Sequence, residues 1–282
     1  MSLGQVREER LELAVEPRTE PVRRRFWRSD LLATVLPALC GIVIALGAWE
    51  AWVELRNIKP YILPTPSSVA ERLYAEPQMF AVEGFRTLEG AMLGFFLGAL
   101  IAIVLATIMA QSRFLERSIF PIAILVKVTP IVAVAPLLTI WFGFGLFPKV
   151  FIAALIVFFQ IMVNALVGFR SVNPNALALR ESLAASRFEV FLRLRLPSSL
   201  PYLFAAFRVS IPLSVIGAVV AEWFSGDSGL GRVIYIANND LDMPKAFGGI
   251  FTLAILGVWL FLITSWVERR ILFWHESTFD FR

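Results

Sequence analysis

Six long apolar runs alternate with charged segments along the 282 residues of the chain. Each run is close to the roughly 20 helical residues that cross the core of a bilayer. No segment alternates apolar and polar side chains as a membrane β-strand does, so the runs are read as helices. The pattern predicts an all-α, polytopic membrane protein with six transmembrane helices, over residues 32–53, 88–110, 119–141, 147–168, 201–224 and 247–267.

Basic residues are distributed unevenly between the segments that connect these runs. Seventeen of the 26 Lys and Arg residues lie in one alternating set of segments, and seven lie in the other set or at its edges. Lys and Arg concentrate on the cytoplasmic side of membrane proteins. We therefore expect both termini to be cytoplasmic, with a tail over 1–31, a transmembrane domain over 32–268 and a second tail over 269–282.

Residues 174–196 interrupt the apolar pattern with a segment that has the character of two soluble helices. Asn173 can cap a first helix that begins at Pro174, a residue favoured at the first helical position. Ser186 and Glu189 form a Ser-x-x-Glu capping box, which predicts that a second helix begins directly after the serine. The pattern therefore predicts a helical hairpin on the cytoplasmic side.

Leu196-Pro197 is expected to end the second hairpin helix, because a residue before proline avoids the helical conformation. A hairpin with two caps and a proline stop suits docking into a groove on another protein. Its Arg residues also suit an amphipathic loop held on anionic lipid. Both interpretations remain open at the level of the residues alone.

Two of the predicted spans carry glycine or proline at positions that affect packing. Gly90, Gly94 and Gly98 form a stripe that lets helix backbones approach closely, either within the chain or between subunits. Pro130 and Pro136 predict kinks in the third span, because proline frees backbone carbonyl groups. Kinked helices often surround a transport pathway, so both prolines are candidates for lining one.

Three ionisable residues fall within or at the end of predicted spans. Lys127 and Arg208 lie several residues into the third and fifth spans, and Glu222 lies near the outer end of the fifth. Ionisable groups inside the membrane are costly and often functional. The alternatives are that the two long cations reach back to the interface and that Glu222 anchors there. All three are candidate pathway residues.

The composition excludes several classes of protein. The chain is 58% hydrophobic and 17% charged, and it has one cysteine and one histidine, Cys40 and His275. These two side chains are too few for a zinc or haem site, and no catalytic Ser/His/Asp or Cys/His set is available. No Gly-Lys pair occurs in the sequence, so the chain has no phosphate-binding loop. Because the basic residues lie at membrane edges, nucleic-acid binding is not expected.

The second half of the hairpin resembles the cytoplasmic EAA loop of ABC-importer permeases. Counting back from Leu196-Pro197, Leu194 occupies the isoleucine place of that pattern and Ala184 occupies its glycine place. The Glu-Ala-Ala element falls on residues 178–180, which do not match it. Whether the turn at Ala184 requires a positive φ is left open.

The resemblance extends over roughly residues 35–275 and is to permeases of the nitrate, sulfonate and taurine type. It is carried by four motifs in order, ILPTPSSV, APLLTIWFGFGLFPKV, ASRFEVFLRLRLPSSLPYLFAAFR and SGLGRVI. It implies the fold of a type I ABC-importer permease that works as a homodimer. Two ATP-binding subunits, which hold ATP and magnesium, would dock inside, and a solute-binding protein would dock outside. The implied ATPase-coupling residues are Ala184, Ala185, Ser186, Arg187, Phe188, Glu189, Phe191 and Pro197.

AVVAEW and ERRILFWH look most like permeases for riboflavin and for pyrimidine precursors of thiamine. The resemblance therefore implies uptake of one of these compounds, with nitrate, sulfonate or taurine as the alternative. Two other classes of function compete with it. One is an ion-coupled secondary transporter that works alone, and the other is a membrane scaffold with no pathway.

Overall fold

The computed structural model describes residues 29–225 and 227–273. These residues form eleven helices and one π-helical segment, Phe191–Arg195, and no strand occurs among them. Most of the two predicted tails lies outside the described residues. In chain order the helices are α1 (Ser29–Leu55), α2 (Pro66–Ala75), α3 (Pro77–Gln111), α4 (Arg113–Val128), α5 (Ile131–Phe142), α6 (Leu146–Arg170), α7 (Pro174–Ser182), α8 (Arg187–Val190), α9 (Leu196–Ser225), α10 (Leu230–Asn239) and α11 (Met243–Ile271).

The chain divides into two units, residues 1–49 and 50–282. The described part of the first unit belongs to α1, which covers the first predicted span. Large apolar side chains of this helix, among them Ile42, Val43 and Ile44, are exposed. Such a surface suits a lipid environment better than water.

The core of the second unit forms where α3, α6 and α9 pack together. Small side chains dominate it, including Ala102, Ala106 and Ala165, which are fully buried. The glycine stripe of α3 is part of this packing, because a Cβ on Gly94 would lie 2.4 Å from the Cβ of Ala153 in α6. Of the two interpretations of the stripe, packing within the chain or between subunits, the structure supports packing within the chain.

Four stretches of the described residues are long and apolar enough to cross a membrane. They are α3, α6, the run Arg187–Phe224 and α11. A fifth is obtained if α4 and α5, which meet at an angle of 95°, are taken as one broken span. All five overlap the spans predicted from the second to the sixth.

The two ends of the bent pair α4–α5 meet the two ends of α6. At one end, Glu116 of α4 pairs with Arg170, the last residue of α6, at 2.7 Å. At the other end, the ring of Phe142 lies 4.9 Å, between centroids, from that of Phe147 near the start of α6. Because α6 is itself long enough to span, these contacts favour a broken span over a re-entrant loop.

The break in this span lies at only one of the two predicted proline positions. Thr129 is extended, with φ −66° and ψ 125°, because the ring of Pro130 excludes the helical region for the residue before it. Pro136 lies inside α5, and the helix continues through it.

The prediction that the second hairpin helix ends at Leu196-Pro197 is wrong. Residues Arg187–Phe224 run on as one helical stretch, and Leu196 is helical, with φ −65° and ψ −50°. The reason lies in the π-helical segment, where the amide of Leu196 donates to the carbonyl of Phe191 five residues earlier. This wider turn relieves the clash between a proline ring and the carbonyl four residues before it, which would break a regular helix.

Candidate functional site

The first hairpin helix, α7, begins and ends with defined capping contacts. The side-chain oxygen of Asn173 accepts from the amide of Asn175 at 2.9 Å, as predicted for a cap. At the other end, the amide of Ala185 donates to the carbonyl of Arg180 at 3.1 Å across a residue with positive φ. That residue is Ala184, with φ 51°. The turn is a Schellman motif, and its glycine place does require a left-handed backbone.

The second hairpin helix begins at the predicted capping box. The hydroxyl of Ser186 accepts from the amide of Glu189 at 3.2 Å, and the Glu189 carboxylate accepts from the amide of Ser186 at 3.0 Å. Both orphan amides at this helix start are therefore satisfied locally. The hairpin has a defined shape before any partner is bound.

The outer surface of the hairpin carries large exposed apolar side chains. Phe188 is 71% exposed and Leu183 is 67% exposed, and Leu179 and Leu192 are exposed as well. Phe191, predicted as a contact residue, instead faces inward, with its ring centroid 5.4 Å from that of Phe169 in α6. Phe188 and the leucines thus form an apolar surface, and Phe191 fixes it to the helix bundle.

Sequence reasoning missed Leu179 and Leu183 as part of this surface. The predicted ATPase-coupling residues begin at Ala184, so they include no residue of the first hairpin helix. Leu179 lies in α7, and Leu183 follows four residues later, directly after the helix ends. This i, i+4 spacing was the available signal.

A network of buried charges lies at the opposite end of the bundle from the hairpin. Lys149 of α6 is 2% exposed and Glu222 of α9 is 1% exposed, and their charged atoms are 3.6 Å apart. The Lys149 ammonium also donates to the carbonyl and hydroxyl oxygens of Ser228, at 2.7 and 3.0 Å. Asp227 contributes a further carboxylate oxygen 3.6 Å away.

The Glu222 carboxylate in turn holds the start of α10. Its Oε2 accepts from the amide of Gly231 at 2.8 Å and from the hydroxyl of Thr87 in α3 at 3.0 Å. Thr87 accepts from the amide of Leu230 at 2.8 Å, and Leu230 is fully buried. The network therefore ties α3, α6 and α9 to one short loop.

The two glycines of the SGLGRVI motif are required by this packing. A Cβ on Gly229, whose φ is +105°, would overlap the Glu222 carboxylate. A Cβ on Gly231 would lie 2.7 Å from the carbonyl oxygen of Val219. Only glycine lets the loop backbone approach the buried carboxylate so closely.

A family model described as the inner membrane component of binding-protein-dependent transport systems matches residues 94–273. The match covers more than half of the chain and includes the hairpin and the buried pair Lys149–Glu222. The chain belongs to this permease family. It is the permease subunit of an ABC importer, a membrane transport protein rather than an enzyme, and the two rival classes of function are set aside.

Individual relatives agree with this assignment. The riboflavin transport system permease protein RibX of Chloroflexus aurantiacus is 34% identical over 93% of this chain and 97% of its own length. The formylaminopyrimidine transport permease protein ThiX of Halalkalibacterium halodurans is 32% identical over 81% and 92%. The taurine transport system permease protein TauC of Escherichia coli is 30% identical over 90% and 94%.

A solved structure shows the same fold. An inward-facing structure of the MetNI methionine ABC transporter contains a chain that aligns with a TM-score of 0.61 and 17% identity. The alignment covers 70% of this permease and 98% of that chain. The type I ABC-importer fold implied by the sequence resemblance is therefore supported by the three-dimensional structure.

The permease places its predicted pathway residues at separate positions. Lys127 is exposed at the end of α4, next to Pro130 at the break, and its ammonium lies 4.5 Å from the ring centroid of Phe159. Arg208 is half-buried, and its Nε donates to Glu268 of α11 at 3.1 Å. No hydrogen bond or ion pair among the described residues joins Lys127, Arg208 and Glu222 to one another.

Glu222 is buried among α3, α6 and α10, so its carboxylate is not exposed on the surface of the bundle. Its partner Lys149 is not among the candidate pathway residues predicted from the sequence. The signal that could have found the pair is chemical. A lysine and a glutamate each stand within apolar surroundings, and each buried charge requires a partner of opposite sign.

Proposed function

We propose that this permease imports riboflavin or a pyrimidine precursor of thiamine. The observation that carries the proposal is the similarity to the riboflavin and formylaminopyrimidine permeases over almost the whole chain. Similarity to a taurine permease over a comparable length favours sulfonate or taurine as the second candidate, and nitrate belongs to the same group.

The working assembly is proposed to be a homodimer of this permease with two ATP-binding subunits and an external solute-binding protein. ATP and magnesium are held by the ATP-binding subunits. Each permease has six spans with both termini in the cytoplasm. The excess of Arg and Lys in the alternating set of segments that includes the hairpin supports this orientation.

In this assembly the hairpin is the part that docks on the ATP-binding subunit. Its exposed Phe188 and Leu183 supply an apolar surface, which gives the contact its affinity because it leaves water on docking. The two capping arrangements keep the surface in one shape, which lowers the entropy lost on binding. Closure of the ATPase dimer moves the two hairpins together and turns the pathway outward, and hydrolysis resets it.

The pathway is proposed to pass the break between α4 and α5, where Lys127 and Pro130 lie, and Pro136 of α5 is retained as a further candidate. A broken helix frees backbone groups that a polar solute can use in place of water. Arg208 and Glu222 are retained as pathway candidates, although each is already engaged by a charged partner in this conformation.

The experiment that tests the substrate uses the whole transporter in proteoliposomes with its cognate solute-binding protein. Labelled riboflavin, formylaminopyrimidine and taurine are supplied outside in turn, with ATP inside. Riboflavin or the pyrimidine should accumulate in an ATP-dependent manner, and the same compound should raise the melting temperature of the isolated binding protein. Accumulation of taurine alone would replace the first candidate by the second.

A further inference from the structure

A cavity of about 710 Å³ opens at the hairpin end of the bundle. It lies where α3 ends, α4 begins and α6 ends, and it belongs neither to the apolar surface of the hairpin nor to the α4–α5 break. Three arginines line it, Arg113, Arg117 and Arg170, together with one carboxylate, that of Glu116.

The charges around this cavity do not balance. The Glu116 carboxylate is engaged by Arg170, whose two terminal nitrogens donate to its two oxygens at 2.8 and 2.7 Å. Neither Arg113 nor Arg117 makes a hydrogen bond or ion pair within the described residues, and both are exposed. Two guanidinium groups are therefore left to attract an anion, and their planar forks match the oxygen atoms of a phosphate group.

The start of α4 adds to the positive potential of the cavity. Ser112 caps this helix by accepting from the amide of Leu115, and Arg113 is its first residue. The positive end of the helix dipole thus points towards the cavity, which favours an anion there.

Apolar surface continues from the cavity along the membrane-spanning part of α4. Phe120 and Pro121 form part of the cavity wall. Within the next turn of the helix, Ile122 and Leu125 are more than half exposed. A soluble anion uses only the arginines, whereas a lipid uses both the arginines and this apolar face.

We propose that the cavity binds the phosphate headgroup of an anionic membrane phospholipid, with the acyl chains along the exposed face of α4. The proposal does not depend on which solute the permease imports. Basic cavities between the cytoplasmic ends of transmembrane helices are suited to such headgroups, and each Lys or Arg near the surface contributes about 1 kcal/mol.

The position of the cavity links lipid binding to the hairpin. Arg170 ends α6 only three residues before Asn173, which caps the first hairpin helix. On the other side, Arg195 in the π-helical segment donates to the carbonyl of Ala110 in the cavity wall at 3.4 Å. A bound headgroup therefore lies between the two chain segments that carry the hairpin, and it holds them in fixed positions.

The test uses the assembled transporter in nanodiscs of phosphatidylcholine alone or with phosphatidylglycerol. Native mass spectrometry counts retained phosphatidylglycerol, and titration gives its apparent affinity. The double variant Arg113→Gln/Arg117→Gln should bind phosphatidylglycerol about thirtyfold more weakly than the wild type. The matched control is Arg269→Gln/Arg270→Gln, which removes the same charge from the end of α11 and should leave the affinity within about twofold.

The other outcomes overturn the proposal. Equal phosphatidylglycerol binding by the wild type and the Arg113/Arg117 variant means that the cavity is not the lipid site. Full competition by inorganic phosphate in excess over the lipid assigns the cavity to a soluble anion. Loss of the ATP-binding subunits from the variant in discs of either composition assigns these arginines to protein docking.

Discussion

Ala184 holds a backbone conformation that alanine seldom adopts, and the shape of the hairpin depends on it. Its φ is 51°. The Cβ is then close to the neighbouring carbonyl, which costs about 1 kcal/mol relative to glycine. The strain is offset by the Schellman bond from Ala185 to Arg180 and by the capping box that follows. One residue thus sets the angle between the two hairpin helices.

Replacing Ala184 by glycine should stabilise the hairpin by up to about 1 kcal/mol, because the left-handed strain disappears. Hydrogen exchange at the amide of Ala185 measures this as slower exchange. The matched control is Ala178→Gly, the same replacement within α7. It should speed exchange, because glycine weakens a helix interior by about 1 kcal/mol. Equal effects of the two changes would mean that Ala184 is not strained.

The pair Lys149–Glu222 is buried on both sides and so behaves differently from a surface ion pair. Lys149→Met leaves an uncompensated carboxylate and should destabilise the permease by about 3 kcal/mol or more. Adding Glu222→Gln should recover part of this loss, because the neutral amide still accepts from Gly231 and needs no cation. Melting temperatures of the assembled transporter in nanodiscs measure both effects.

The control for this pair is Lys245→Met, which removes the half-exposed partner of Glu76 at the same end of the bundle. This replacement should lower the free energy of unfolding by less than about 1 kcal/mol, as for other exposed ion pairs. If the double variant at positions 149 and 222 were no more stable than Lys149→Met alone, the two charges would not be coupled.

At the scale of elements, α3 and α6 determine how closely the bundle packs. The approach of their backbones leaves no room for a side chain at Gly94 or Gly98, and a Cβ on Gly98 would lie 2.6 Å from the carbonyl oxygen of Ala154. Close approach lets dispersion contacts act along most of both helices. It is these contacts, more than polar ones, that hold two apolar helices together in lipid.

Gly94→Ala should separate α3 from α6, because the new methyl group overlaps Ala153. The expected loss of stability is about 1–3 kcal/mol. Gly257→Ala in α11 is the matched control, since nothing lies within 4 Å of its Cβ position. The control should be neutral or stabilise the helix by up to about 1 kcal/mol. Thermal melts measure both effects. If both variants melted below the wild type, or both above it, the role of the glycine stripe in packing would be contradicted.

Elements governed by local contacts were predictable from the sequence, and those governed by distant contacts were not. The caps at Asn173 and at Ser186 involve neighbours within three residues, so their pattern is visible in the chain. Helix continuation through Pro197 depends on a π-helical turn, which no residue pattern signalled. The contact between Lys149 and Glu222 joins residues of two different spans, and apolar periodicity carries no information on such pairs.

For the whole molecule, function is divided between the two ends of the bundle. The hairpin end carries an exposed apolar surface and two arginines that form no ion pair within the described residues. The opposite end carries a loop held by buried charges, and half-exposed ion pairs join Arg72 to Asp242 and Lys245 to Glu76. An importer that responds to ATP on one side and receives a loaded binding protein on the other requires two such different ends.

Phe188→Glu should detach the ATP-binding subunits, because a charge in an apolar contact must be desolvated without a partner. Co-purification in mild detergent measures this, with at least tenfold less ATPase retained. Tyr74→Glu is the control, since Tyr74 is 91% exposed in α2, at the opposite end of the bundle, and its replacement should leave retention unchanged. Full retention of ATPase by the Phe188 variant would remove the hairpin as the docking site.

The stretch Arg187–Phe224 joins these two ends as one helical run of 38 residues. At a rise of about 1.5 Å per residue, the contour of the run is about 57 Å. Phe188 lies one residue from its beginning and Glu222 two residues from its end. A tilt of about 10° over this length moves the far end by roughly 10 Å. A movement of the hairpin that tilts the run is therefore expected to displace the glycine loop at the opposite end of the bundle.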